Sequence, residues 1–207
     1  MNSHNNKFTK EYFEDGIKAK VSAYENYRWM PDRSIREANS IIKQIPFTNA
    51  LDFGCAKGFL VYALRLLGKD AYGVDISSYA IKNCHKEIKK YVKKIDDCND
   101  ISEQWDLIIA KDVLEHLQKD TLDKTLKAFR KKAKRIFFIV PLGEKNKYRI
   151  REYEMDVTHI IREPEEWWLK VVKNAGFEIE YFDYSFGYIK DHWTSKFPYG
   201  NAFIVAK

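Results

Sequence analysis

The sequence predicts an α/β fold: a seven-stranded, mainly parallel sheet with helices on both faces and one antiparallel strand near the C-terminus. Three observations predict it. From Asn49 onward short apolar runs alternate with helical segments, the signature of a parallel sheet covered on both sides. The run from Ala50 to Leu60 carries an apolar strand through Gly54 and Gly58 into a helix, and a second strand then ends in Asp75, 21 residues after Gly54. Near the end of the chain, the segments Gly176 to Phe182 and Asn201 to Ala206 read as strands with no helix between them, so they are antiparallel or belong to different sheets.

Each element has its own warrant. Residues 7–45 are helical in character, in two parts divided near Trp29-Met30-Pro31. In the second part Ile35, Ala38, Ile41, Ile42 and Ile45 recur at helical spacing, Asp32 is placed to cap it, and Pro46 stops it. Strands are expected near 49–54, 70–75, 91–95, 105–110, 135–140, 177–184 and 200–206. Helices are expected near 58–68, 78–90, 119–132 and 163–175. The chain then divides into an N-terminal helical segment, 1–46, that folds over the carboxyl edge of the sheet as a lid shaping substrate binding, and the sheet domain, 47–207, as one structural unit.

Composition sets the outer bounds. A chain of 207 residues holds one well-buried α/β domain with decorations, and 45% hydrophobic with 15% aromatic residues argue for a packed globule. No apolar run reaches the ~20 residues of a membrane helix. Met1 to Asn6 is polar with no apolar stretch behind it, so no secretory signal is visible and a cytoplasmic protein is expected. Cys55, Cys84 and Cys98 form an odd, sparse set that reads as reduced thiols. The net charge of +6 fits solvated helix faces, or attraction to an anionic substrate.

The glycine turn carries the chemistry. Gly54 lets the chain turn sharply at a strand end, and Gly58 frees the start of the next helix for a ligand to approach the backbone. Asp75, at the tip of the neighbouring strand, can accept hydrogen bonds from both hydroxyls of a ribose or cap the helix beginning at Ser77-Ser78. A dinucleotide fingerprint would need glycine at 56 and 59, where this chain has Ala56 and Phe59, so a pyrophosphate cradle is disfavoured.

The arrangement resembles motif I of the class I S-adenosylmethionine-dependent methyltransferases, whose cofactor has no phosphate to bind; Ala56 departs from that motif's usual glycine. Trp105 to Leu117 is similar to the family's fourth-strand motif leading into Glu115-His116. Phe137 to Pro141 is similar to its fifth strand, and Asp156 to His159, Glu166-Trp167 and Ala175 to Phe177 to a pattern of its small-molecule members. The resemblance implies a Rossmann-like fold and S-adenosylmethionine as cofactor, with S-adenosylhomocysteine as product. It places Gly54, Cys55, Ala56, Gly58 and Phe59 beside the cofactor, Asp52 near its ammonium, Asp75 at the ribose and Ile76 against the adenine. Asp96 or Asp97 would meet the adenine amino group, and Lys111 belongs to the same site.

The acceptor side is read from the same strand ends. Methyl transfer from a sulfonium needs an in-line nucleophile, and a hydroxyl nucleophile also benefits from a base. His159, with Asp156 placed to orient it, is a candidate base or substrate contact; His116 and Asp112 are further candidates. Tyr24, Tyr27, Arg28 and Trp29 from the lid, with Tyr148 and Arg149, are candidate substrate contacts, suited to a phosphorylated or nucleotide-linked molecule. Asp112, Glu115, His116, Asp156 and His159 supply hard ligands, but their spacing matches no recognised metal motif, and no metal is expected. The favoured function is O-methylation of a sugar, nucleotide-sugar or surface-polysaccharide precursor. RNA methylation is the alternative, although no appended RNA-binding module or Asn/Asp-Pro-Pro-aromatic motif is present. A non-catalytic binding protein with the same fold is a further one.

Overall fold

The computed structural model describes residues 7–207. The polar start, Met1 to Asn6, on which the expectation about a leader rests, lies outside the described residues. Seven strands form one sheet: β1 (Asn49–Phe53), β2 (Asp70–Asp75), β3 (Val92–Lys94), β4 (Trp105–Lys111), β5 (Ala133–Pro141), β8 (Ile179–Asp183) and β9 (Asn201–Ala206). Their order is β3-β2-β1-β4-β5-β9-β8, and a two-stranded hairpin of β6 (Gly143–Glu144) and β7 (Lys147–Tyr148) stands apart. The first five strands pair in parallel, and β9 runs antiparallel to both β5 and β8, as expected for a single reversed strand.

Strand alternation sorts the core into two layers. Ile108, Ala110, Ile136, Phe138, Val140 and Ile204 face one side, where they meet Leu122, Leu126 and Phe129 of α6 (Lys119–Lys132) and Trp168 and Val172 of α7 (Glu165–Asn174). Leu107, Ile109, Phe137, Ile139, Phe203 and Val205 face the other, against Ala38 and Ile41 of α3 (Pro31–Gln44) and Val61 and Leu64 of α4 (Phe59–Leu66). The near-continuous apolar runs of β4, β5 and β9 follow from burial on both faces.

Several expectations need correction. Most of residues 7–28 is not helix: only α1 (Lys10–Glu14) and α2 (Gly16–Ala19) form, and Lys20, at φ 59°, ends the second. The chain then folds back, so that a Cβ on Gly16 would lie 2.0 Å from Ser22 Oγ, a close approach that only glycine permits. Asp32 does not cap α3. Met30 holds that position with Pro31 at the first helical residue, and Asp32 pairs instead with Arg36. The helix expected over 78–90 breaks into α5 (Ser78–Lys82), capped by Ser77 Oγ, and a 3-10 turn at Lys86–Tyr91 capped by His85. The hairpin β6–β7 and a short helix, α8 (Asp191–Lys196), were not foreseen. Lys145 and Asn146, both at positive φ, make the tight turn of that hairpin.

Candidate active site

β1 and β4 are neighbours, but the chain leaves β1 toward β2 and leaves β4 toward β5, so a crevice opens at their carboxyl ends. On the β1 side, Gly54 (φ 77°), Ala56 (φ 50°) and Gly58 (φ 73°) all adopt left-handed backbone. The amides of Gly54 and Cys55 both donate to the Val74 carbonyl, at 2.8 and 3.0 Å, binding the turn to β2. A Cβ on Gly54 would lie 2.4 Å from the Val113 side chain, and one on Gly58 2.4 Å from Ile88. Gly58 is therefore favoured by its φ, and a Cβ there would also have to displace the end of the Ile88 side chain.

Two buried carboxylates stand at these strand ends. Asp75 accepts from the amides of Ala56 and Ser77, each at 2.7 Å. Burial raises its pKa, and those amides pull against the rise. Asp52 is 4% exposed, and burial pushes its pKa up to about 7 although the Lys111 ammonium opposes the shift. Lys111 itself lies 3.4 Å from Asp112 and 3.8 Å from Glu37, which also holds Arg33 at 3.0 Å.

Residues 8–27 contact residues at these strand ends. Ser77 Oγ donates to the Phe8 carbonyl at 2.5 Å, and Glu14 accepts from Lys57 at 2.5 Å and from the Tyr79 hydroxyl at 3.0 Å. Lys57 also donates to the Tyr27 carbonyl at 2.6 Å. Phe13 stacks on Tyr79, Tyr27 packs on Phe59, and Phe8 meets the His116 ring edge-on at 5.5 Å. The Tyr12 hydroxyl donates to Asp156 Oδ2 at 2.6 Å.

Beyond β4 lies a second polar cluster. Asp112, at φ 57°, is ion-paired with Lys190, whose ammonium also donates to Tyr153 Oη at 2.9 Å and Asn201 Oδ1 at 3.1 Å. Burial works against the Asp112 charge, but the Lys190 and Lys111 ammoniums prevail and hold its pKa at about 2. His159 Nδ1 donates to the Tyr153 carbonyl at 2.9 Å, and its Nε2 is 3.9 Å from both Glu115 Oε1 and Asp156 Oδ2. His116 Nδ1 lies 2.7 Å from Thr158 Oγ1. Burial, reinforced by the neighbouring His159, lowers the His116 pKa to about 4, and burial lowers that of His159. Glu115 is fully buried, with no hydrogen-bond partner for either carboxylate oxygen among the described residues, and burial raises its pKa.

Residues 21–182 match the model of a family described as a methyltransferase domain. The chain belongs to this methyltransferase family. It is an S-adenosylmethionine-dependent methyltransferase. No curated protein matches it. Among solved structures it is similar to a chain from the complex between the Haloferax volcanii Trm112 methyltransferase activator and a methyltransferase, with a TM-score of 0.66 and 16% identity over 86% of this chain and 91% of that one. It is also similar to an S-adenosylmethionine-dependent methyltransferase from Clostridium acetobutylicum, with a TM-score of 0.61 and 16% identity over 92% and 94%. The glycopeptide N-methyltransferase MtfA, complexed with S-adenosylmethionine, gives 0.61 and 9% identity over 84% and 86%.

The methyltransferase's own residues suit this cofactor. A buried carboxylate held near neutrality, as Asp52 is, gains from an ammonium brought beside it, and Asp75 at the adjacent strand tip retains acceptor capacity for hydroxyls. Ile76 follows directly, half-buried. Asp97 spends its carboxylate capping the turn Cys98–Asp100, whereas Asp96 is exposed and paired with Lys94.

The expected acceptor residues are only partly brought together. Tyr24 and Tyr27 pack in an aromatic cluster with Tyr12 and Phe13, and the Tyr148 ring is 5.2 Å from that of His159. Arg28 is exposed, and Trp29 packs against Phe59, Tyr62 and His85 on the α4 side. The Arg149 guanidinium is held by Glu165 at 2.7 Å and by the Tyr199 carbonyl. The Tyr153 carbonyl, rather than Asp156, orients His159. Lys190, Tyr153, Asn201, Tyr12, Glu14 and Lys57 went unrecognised in the sequence. Lys190 in particular carries no motif; only its burial, at 5% exposed, marks it.

Proposed function

We propose that this methyltransferase transfers the methyl group of S-adenosylmethionine to a hydroxyl of a small, hydroxyl-rich acceptor, such as a sugar unit of a polysaccharide precursor. In this reading Asp52 meets the cofactor's ammonium, Asp75 its ribose, Ile76 its adenine, and the backbone of Gly54, Cys55 and Ala56 its methionine moiety. The observation that carries the reading is the lid. Residues 8–27 tie across the carboxyl edge of the sheet through Ser77, Lys57 and Asp156, which suits an acceptor small enough to be enclosed. Enclosure excludes water and fixes the nucleophile near the sulfonium, the main demand of this reaction.

The chemistry beneath the lid supports a neutral acceptor over a phosphorylated one. Lys57, Lys190 and Arg33 are paired with Glu14, Asp112 and Glu37, so their charges are already balanced. Tyr153, Asn201, Asp112 and the phenols of Tyr12 and Tyr24 offer the donors and acceptors that hydroxyls need. Asp112, held ionised by two ammoniums, is a weak base; His159, neutral and with a lone pair on Nε2, is the better group to receive the hydroxyl's proton.

The test is transfer of a tritiated methyl group from S-adenosylmethionine to a panel of sugars, sugar nucleotides, amines and bulk tRNA. Label in a hydroxyl-rich small molecule, reduced at least tenfold by Asn201→Ala, supports the reading. Label in tRNA or in amines only overturns it.

A further inference from the structure

Glu115 and His116, in the 3-10 turn Leu114–His116, and His159, in the segment before α7, present one ligand atom each, all within 4.8 Å of one another. Glu115 is fully buried, and among the described residues neither carboxylate oxygen has a hydrogen-bond partner. An unpaired buried carboxylate is among the most costly groups a protein can hold. A cation bound beside it would satisfy it.

The hydrogen bonds around the two imidazoles fix what they offer. His159 Nδ1 faces the Tyr153 carbonyl, which can only accept, so the proton sits on Nδ1 and Nε2 carries the lone pair. Thr158 Oγ1 donates its proton to Asp156 Oδ1 at 2.5 Å, so it accepts from His116 Nδ1, and the lone pair of that ring is again on Nε2. Both rings are thus set in the tautomer that leaves Nε2 to bind a metal, with a carbonyl in one case and a hydroxyl–carboxylate relay in the other supporting the far nitrogen. That is the outer-shell arrangement of metal-binding histidines. Asp156 is itself fixed by Tyr12 and by the amide of Thr158.

We propose that Glu115, His116 and His159 form a binding site for a first-row divalent cation, with two imidazole nitrogens and one carboxylate as protein ligands. Two nitrogens and one oxygen suit zinc, cobalt or manganese rather than calcium or magnesium. Bonds of ~2.1 Å in a tetrahedral site place ligand atoms about 3.4 Å apart, so closing onto the cation contracts the widest separation by about 1.4 Å. Three protein ligands leave a coordination position open. Metal and proton compete for the same His159 lone pair, so in the loaded protein the imidazole holds the cation instead of acting as the base.

The test measures binding directly and is independent of any acceptor. The full chain is stripped with a chelator and equilibrated with Zn²⁺ or Co²⁺; bound metal is counted after dialysis, and the visible absorption of the Co²⁺ form is recorded. One equivalent per chain is expected, with Co²⁺ bands of low-coordinate nitrogen and oxygen ligation. His159→Ala and Glu115→Gln, each checked for retained S-adenosylhomocysteine binding, should weaken it at least 100-fold. Thr158→Val, which keeps all three ligands, should weaken it about 10- to 100-fold, and this variant serves if the other two fail to fold. Less than a tenth of an equivalent bound, equal binding by wild type and the variants, or a thiolate-to-cobalt charge-transfer band from Cys55, Cys84 or Cys98 would overturn the proposal. Methyl transfer could fail for want of the right acceptor and leave each of these readings unchanged.

Discussion

The Asp75 carboxylate accepts the backbone N–H of Ala56 at 2.7 Å and that of Ser77 at the same distance, tying the tip of β2 both to the glycine loop and to the start of α5. One side chain therefore shapes the loop and offers the acceptor for a ribose. Replacing Asp75 with alanine should cost about 2–4 kcal/mol of stability, because two amides in a buried setting lose their acceptor. Affinity for S-adenosylhomocysteine should fall about 100-fold. Chemical denaturation and calorimetric titration measure the two effects separately, and unchanged affinity in a folded variant would remove Asp75 from the ribose site.

Ala56 carries a methyl group at φ 50°, where residues with a Cβ are strained. Its amide bond to Asp75 and the flanking left-handed glycines hold it there. Ala56→Gly should raise stability by about 0.5–1 kcal/mol, since the native strain relieved exceeds the added freedom of the unfolded chain. Cofactor affinity should stay the same or improve. A loss of stability in the urea midpoint would show that the alanine methyl makes a contact worth more than the strain.

Asp52 gives the protein a pH dependence of defined sign. Its folded pKa of about 7 lies above the ~3.9 of an unfolded aspartate, so the unfolded state releases its proton first as pH rises. Stability should therefore decline from about pH 4 to about pH 7, by an amount on the order of 2–4 kcal/mol, and level off above. An ammonium bound beside Asp52 reverses the preference, so affinity for S-adenosylhomocysteine should rise between about pH 5 and pH 7. In Asp52→Asn both dependences should flatten. Titrations at pH 5.5, 6.5 and 7.5 on both proteins check this, and parallel pH profiles would assign the slope to another group.

What was legible in the sequence follows from what is local. The strand-turn-helix at Asp52 to Phe59 and the strand ending in Asp75 depend on residues close in the chain, and the apolar runs of β4, β5 and β9 announce their burial directly. The contacts of residues 8–27 were harder to read. Tyr12, Glu14 and Lys57 look like ordinary surface residues until the chain folds back through Gly16 and Lys20 and sets Glu14 against Lys57, 43 residues away. The acceptor end was harder still, because it joins β4, the loop at 151–161 and the segment before α8. Lys190 meets Asp112 across 78 positions, and no spacing rule connects them. Glu115 and His116 were visible as a pair, but His159 joins them only through tertiary structure.

The Lys190–Asp112 pair supplies the last prediction. The Lys190 side chain is 4% exposed, and its ammonium serves Asp112, Tyr153 and Asn201 together. Lys190→Met leaves the half-buried Asp112 carboxylate with Lys111 as its remaining ammonium and takes the ammonium from Tyr153 Oη, while Asn201 Oδ1 still accepts from the Tyr153 hydroxyl, so about 2–4 kcal/mol of stability should be lost. Adding Asp112→Asn removes the stranded charge, and the double variant should recover at least about 1 kcal/mol of that loss. The pair also governs the acid limb. Asp112, at about 2 in the folded state against ~3.9 unfolded, contributes stability that is full above about pH 4 and fades as pH falls toward 2. In Lys190→Met this acid sensitivity should shrink. Denaturation of the wild type, both single variants and the double at pH 7 and pH 3 closes the cycle; strictly additive losses would mean that the two charges stabilise the protein independently and that the ion pair does not anchor the segment before α8 to β4.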